Sequence, residues 1–150
     1  MIALANDHAG FELKCAIRRY LDERSLPYTD FGTHTTDSCD YPQYGLKAAA
    51  SVASGECERG ILVCGTGVGI SVAANKVTGV RCVSCSEPYS AKLSRQHNNT
   101  NMLSLGARVV GPGLAIMIVE QWLDTPFEGG RHQNRLDQIS RFERGEGPGR

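Results

Sequence analysis

Residues 61–71, Ile-Leu-Val-Cys-Gly-Thr-Gly-Val-Gly-Ile-Ser, restrict the fold of this chain more than any other stretch. Ile61, Leu62 and Val63, continued by Cys64, form the unbroken apolar run of a strand buried on both faces of a parallel sheet. Gly65, Gly67 and Gly69 follow at alternate positions, ahead of a helix-compatible stretch from Ser71 to Lys76. Glycines so spaced let the backbone turn tightly and bring its N–H groups against a ligand. A helix beginning there adds free N–H groups and a partial positive charge. A negative group, including an oxyanion formed only during a reaction, is stabilised at such a place. Cys64, at the strand end, faces the same field, which favours a thiolate. Three well-known loops fail on the letters. The dinucleotide fingerprint G-x-G-x-x-G puts Ile70 or Val72 where its last glycine belongs, and no Gly-Lys-Ser/Thr follows for an ATP-type phosphate loop. A cysteine phosphatase would want an arginine six residues after Cys64, where Ile70 stands. A tight turn over a structural cysteine is the plain reading; three alternating glycines after a buried strand favour a binding loop.

The rest of the chain alternates strand and helix patterns around this stretch. Ile2–Ala5 reads as a strand ending in Asn-Asp-His-Ala-Gly, and Leu13, Ile17, Tyr20, Leu21 and Arg24 share one helical stripe. Residues 28–31 suggest a second strand, and residues 43–53, with Ala48-Ala49-Ala50, a closely packed helix. Gly60 to Cys64 is the third strand, Val80 to Cys85 a fourth and Glu87 to Arg95 the helix after it. His97-Asn98-Asn99-Thr100-Asn101 reads as a polar loop before a fifth strand, Met102 to Leu105. Helices over about 114–123, with Trp122 in the core, and 131–143 complete the pattern. Such alternation predicts an α/β fold: one doubly wound, Rossmann-like, five-stranded parallel sheet with helices on both faces. Ligands bind such sheets at the carboxyl ends of the strands, where the loops carrying His8, Cys64 and His97 are expected.

At 150 residues the chain is read as one domain over 1–144 with a flexible glycine-rich tail at 145–150. A net charge of zero and a pI near 6.9 give no sign of nucleic acid or a membrane surface as partner. No basic, apolar leader opens the sequence, and no apolar run approaches the ~20 residues that span a bilayer, so the expected setting is the cytoplasm. Six cysteines in that setting are expected to be free thiols. Cys82 and Cys85 form a C-x-x-C, but no second pair completes a zinc site, and a redox pair would open a helix rather than sit in a strand.

Eight motifs in order resemble the ribose-5-phosphate isomerase B family, which includes isomerases of allose and galactose 6-phosphates. They are Asp7-His-Ala-Gly10, Asp40-Tyr-Pro42, Cys64 through Ser71, Ala73 through Lys76, Ser86 through Ala91, His97-Asn98, Gly106 through Val110, and Glu128 through His132. The resemblance implies an aldose–ketose isomerase without metal or cofactor, acting on a phosphorylated sugar as a homodimer or dimer of dimers, with active sites at the dimer interface. It implies Cys64 as the base at the carbon beside the carbonyl, Thr66 as proton carrier between the two oxygens, and His97 for ring opening with Asp7 close by. It associates His8, Arg108, Arg131 and Arg135 with the phosphate. Tyr41, Gly65, Gly67, Gly69, Ser71 and Asn98 complete the expected substrate contacts. A branch of the family replaces the cysteine with a glutamate six positions on; Cys64 and Ile70 place this chain in the cysteine branch. Asn6 stands where cysteine or serine is more usual.

The residues taken alone leave alternatives open. Arg131 and Arg135, four apart on a helix, need an anion between them, and Glu128 or Asp137 would serve as well as a phosphate. His34 and His132 carry no assigned role, and Ser71 and Asn75 are equally suited to capping. A hexose 6-phosphate isomerase, a sugar-phosphate sensor and a cysteine phosphatase are the competing functions.

Overall fold

Five strands and six helices follow one another in the computed structural model, which describes residues 1–147. The strands are β1 (Ile2–Asn6), β2 (Tyr28–Asp30), β3 (Arg59–Cys64), β4 (Cys82–Ser84) and β5 (Met102–Gly106). The helices are α1 (Phe11–Glu23), α2 (Tyr41–Ala53), α3 (Val68–Ala74), α4 (Pro88–Asn98), α5 (Pro112–Asp124) and α6 (Arg131–Glu143). All strand pairs are parallel in the order β2-β1-β3-β5-β4. The chain winds away from β1 in both directions, so β1 and β3 flank the point where the winding reverses, and ligands of such sheets sit there.

Alternation along the strands sorts the core into two layers. Leu4, Ile61, Val63, Leu103 and Leu105 pack against α1 and α5, through Leu13, Ile17, Ile118 and Trp122. Ala3, Ala5, Leu62 and Cys64 face α2 and α3, through Ala48, Ala49, Ile70 and Ala74. Small residues on both sides of this second layer let α2 approach closely. No helix among the described residues is long and apolar enough to cross a membrane.

Among the boundaries that differ from the sequence expectation, four have a clear local cause. Helix α2 starts at Tyr41, with Pro42 in its first turn, where a proline loses nothing. Helix α3 starts at Val68, because Gly67 makes its left-handed turn at φ +79 and Thr66 Oγ1 accepts the Val68 N–H at 3.2 Å. Gly69 is therefore helical rather than part of the loop. Strand β4 is confined to Cys82–Ser84, since the Val80 N–H turns back to Val77 O and the Arg81 N–H goes to the Asn101 side chain. Helix α4 runs on to Asn98, capped by Asn99 in the left-handed region (φ 44), so His97 and Asn98 are its last turn and not a loop.

Lys14 is fully buried, and its ammonium reaches Asp30 at 3.0 Å and the Thr33 carbonyl at 2.7 Å. It ties α1 to the start of the 33–40 connection; removing one partner of so buried a pair costs about 3–5 kcal/mol. At the other terminus, Gly145 closes α6 with its N–H on Phe142 O. Residues 148–150 of the expected flexible tail lie outside the described residues.

Candidate functional site

The carboxyl ends of β1, β3 and β5 converge through the backbone. The Asp7 N–H donates to Val63 O, the Ala107 N–H to Cys64 O at 2.8 Å and the Arg108 N–H to Gly65 O at 3.0 Å. One edge of the sheet thus gathers Asp7, His8, Cys64, Gly65, Thr66, Gly67 and Arg108. Tyr41 joins them from α2, because a Cβ on Gly69 would lie 2.7 Å from its ring. A Cβ on Gly65 would lie 3.2 Å from Arg108 Nη1, which places the guanidinium over the loop.

Cys64 is 4% exposed, and its Sγ accepts the Gly67 N–H at 3.1 Å. This amide holds the side chain against the loop. Helix α3 is only seven residues long, so what meets the sulfur is this single loop amide rather than the field of the helix behind it. The Gly67 and Val68 amides are spent on Cys64 and Thr66 and are not free for an oxyanion. Thr66 is exposed; because Val68 donates to its oxygen, its own hydroxyl hydrogen is free to move. Ser71 Oγ instead donates back to Val68 O at 2.8 Å, a bond within α3. Asn75 is structural too, holding Cys82 by both backbone groups at 2.8 and 2.9 Å.

Asp7 accepts the Gly10 N–H at 3.0 Å and shapes the β1–α1 turn. The Cys39 N–H lies 3.1 Å from His8 Nδ1. The Cys39 carbonyl oxygen lies 3.2 Å from the same nitrogen, so the 33–40 connection meets His8 with both backbone groups of one residue. Lys14, by fixing Thr33, steadies the connection from which Cys39 reaches His8.

The remaining predicted residues lie at the opposite edge. His97 and Asn98 end α4 just before β5 begins, and the Glu128 N–H bonds to Gln96 O. With α6 opening at Arg131, this brings Arg131 and Arg135 to the amino ends of the strands. The length of β3, six residues at ~3.3 Å each, separates the two edges. The expectation that His97 shares a strand end with Cys64 and His8 is therefore corrected for a single chain, as is any cluster of His8 and Arg108 with Arg131 and Arg135.

His132, for which the sequence offered no role, stacks on His97 with ring centroids 4.2 Å apart and 11° between planes. It is 4% exposed, and its Nε2 lies 3.6 Å from Glu128 without a hydrogen-bond partner. Burial, then His97, Arg131 and Arg135, push its pKa down, with Glu128 opposing. His97, Glu128 and His132 offer three ligand atoms within 4.8 Å of one another. Parallel rings do not point their in-plane lone pairs at one centre, and Arg131 and Arg135 beside them repel a cation, so the cluster is a poor metal site. Only the adjacency Arg131-His132 was visible in the sequence; the partner ring lies 35 positions earlier.

The C-x-x-C resolves as two inert thiols. Burial pushes Cys82 up to about 12 and Cys85 up to about 11, with Glu87 adding to the latter. All six cysteines are free. Peptide-resolved iodoacetamide labelling at pH 8 is expected to leave Cys82 and Cys85 unmodified in the native protein. Rapid labelling of either would contradict the burial argument.

The sequence matches the Ribose/Galactose Isomerase family over residues 2–139. It is 56% identical over 142 residues to Ribose-5-phosphate isomerase B of Escherichia coli, with 95% of each chain covered. The structure is similar to that of Ribose-5-Phosphate Isomerase B of Clostridium thermocellum, with a TM-score of 0.95 at 50% identity over 97% of this chain and 99% of that one. It is also similar to Ribose-5-phosphate Isomerase B of Mycoplasma genitalium with bound ribulose-5-phosphate. There the TM-score is 0.91 at 41% identity, covering 95% of both chains.

Proposed function

The chain belongs to the ribose/galactose isomerase family, and from there we propose that it interconverts ribose 5-phosphate and ribulose 5-phosphate through an enediolate. It is an aldose–ketose isomerase, and the observation that carries the assignment of its base is the Gly67 N–H directed at Cys64 Sγ beside the β1 and β5 loops. Cys64, as thiolate, takes the C2 proton of the open-chain aldose, and the electron pair moves into an enediolate held by loop amides. Thr66 accepts the proton of the C2 hydroxyl and passes one to the C1 oxygen. The Cys64 thiol then returns its proton to C1, which gives the ketose with every proton accounted for.

His97 opens the furanose ring, His8 and Arg108 bind phosphate, and Arg131 and Arg135 complete the anion site. The two edges of one chain are too far apart for this, so the site forms between chains. A twofold pairing sets the Cys64 edge of each protomer against the His97 edge of its partner. Exposed apolar side chains at both edges support it: Val68 and Val72 on α3, Ile139 and Phe142 on α6, all at least 54% exposed. Helix α6 buries only His132 and Leu136 within its own chain, which also fits a helix that packs on another copy. Homodimers, alone or paired further, are the assembly, and free thiols support a cytoplasmic setting.

Initial rates with ribose 5-phosphate, allose 6-phosphate and galactose 6-phosphate test the substrate. The five-carbon sugar is expected to be turned over at least about tenfold faster in kcat/KM, a difference of about 1.4 kcal/mol in transition-state binding. Preference for either hexose phosphate would overturn the pentose assignment. Tight binding of all three without turnover would identify a sensor instead.

A further inference from the structure

We propose that Ser104, in the middle of β5, is a positioning residue for the Cys64 thiolate. A hydroxyl in a fully buried strand between Leu103 and Leu105 needs a partner, because an unpaired one is costly. Ser104 finds it outside its own strand: its Oγ donates to Gly67 O at 2.8 Å, across 37 positions of sequence. Among the described residues the other donor to that carbonyl is the Ser71 N–H, at a looser 3.3 Å.

Gly67 is the residue whose N–H meets Cys64 Sγ, at 3.1 Å. Its left-handed conformation and its close seating require glycine: a Cβ there would lie 2.9 Å from the Leu105 carbonyl carbon. Glycine is also the residue with the widest choice of conformations, so the direction of its amide is not fixed by its own sterics. Ser104 grips Gly67 from the strand beneath and Cys64 Sγ receives its amide from the strand beside, so the three residues form one connected line from β5 through the loop to β3. The hydroxyl touches no reacting atom. Its effect passes through Gly67, holding the donor where sulfur carries charge.

This inference rests on the reading of Cys64 as the base, and the test separates the two. Native wild type, Ser104→Ala and Ser104→Thr are labelled with iodoacetamide from about pH 5 to about pH 10, and the Cys64 peptide is followed by mass spectrometry. In Ser104→Ala the half-labelling pH is expected to rise, leaving roughly tenfold less thiolate at neutral pH, with kcat down roughly tenfold and KM unchanged. Ser104→Thr is expected to restore both. Ser104→Val fills the volume of threonine without a hydroxyl, and its comparison with Ser104→Thr serves if the alanine cavity unfolds the protein. An unchanged half-labelling pH in folded Ser104→Ala or Ser104→Val overturns the proposal. A raised half-labelling pH with undiminished kcat upholds Ser104 as the holder of the loop and removes Cys64 from the role of base.

Discussion

Replacing Cys64 by alanine is expected to lower kcat about 10²–10⁴-fold, the range of a lost general base, while affinity for ribose 5-phosphate changes only a few-fold. Binding is expected to survive because the proposed phosphate site, His8, Arg108 and the arginines of α6, does not include the sulfur. The protein is expected to fold: the lost sulfur is small, and its chief tie is one hydrogen bond to Gly67. That orphaned amide is worth about 1–3 kcal/mol, so a modest drop in stability accompanies the loss of turnover. Cys64→Ser should be almost as inactive, since an alcohol at the same place is a far weaker acid than a thiol. Steady-state rates with calorimetric titration of the substrate measure both quantities. Turnover within a few-fold of wild type in the alanine variant would remove the sulfur from the reaction.

The second large effect concerns the division of the site between chains. Cys64→Ala and His97→Ala are each expected to be inactive. Mixed at equal concentration and allowed to exchange subunits, they should recover about a quarter of wild-type activity: half the dimers are mixed, and each mixed dimer holds one intact site of two. That site takes Cys64 from one protomer and His97 from its partner. No recovery after demonstrated subunit exchange would mean that both residues of a site belong to the same chain, contrary to the opposite-edge placement.

Much of the fold could be read from the sequence because buried strands leave long apolar runs. Ile61–Cys64 and Met102–Leu105 are such runs, and their strands lie where the pattern put them. The boundaries that shifted depend on local polar chemistry instead. Helix α3 starts early because Thr66 and Gly67 stop the loop, and α4 extends because Asn99 adopts a left-handed cap. His97 followed by two asparagines looks like a loop until that cap is seen.

The candidate site was half legible. Residues that follow strands in order, Asp7, His8, Cys64 and Arg108, fell together because parallel topology leaves their loops no other edge. The His97 edge was misplaced because a helix that ends before a strand delivers its last turn to the opposite side. The stack of His132 on His97 and the grip of Ser104 on Gly67 join residues 35 and 37 positions apart, and no periodicity reports such contacts. Lys14 is the opposite case: a lysine inside an amphipathic stripe looks solvated, yet Asp30 and Thr33 give it partners that make full burial tolerable.

The most direct measurement is loss of deuterium from C2 of labelled ribose 5-phosphate bound to the Cys64→Ala protein, followed by NMR in ordinary water. Wild-type protein should release the label to solvent or transfer it during turnover. The variant is expected to bind the sugar and retain the label. Release from the variant at the wild-type rate would show that another group removes the hydrogen from carbon.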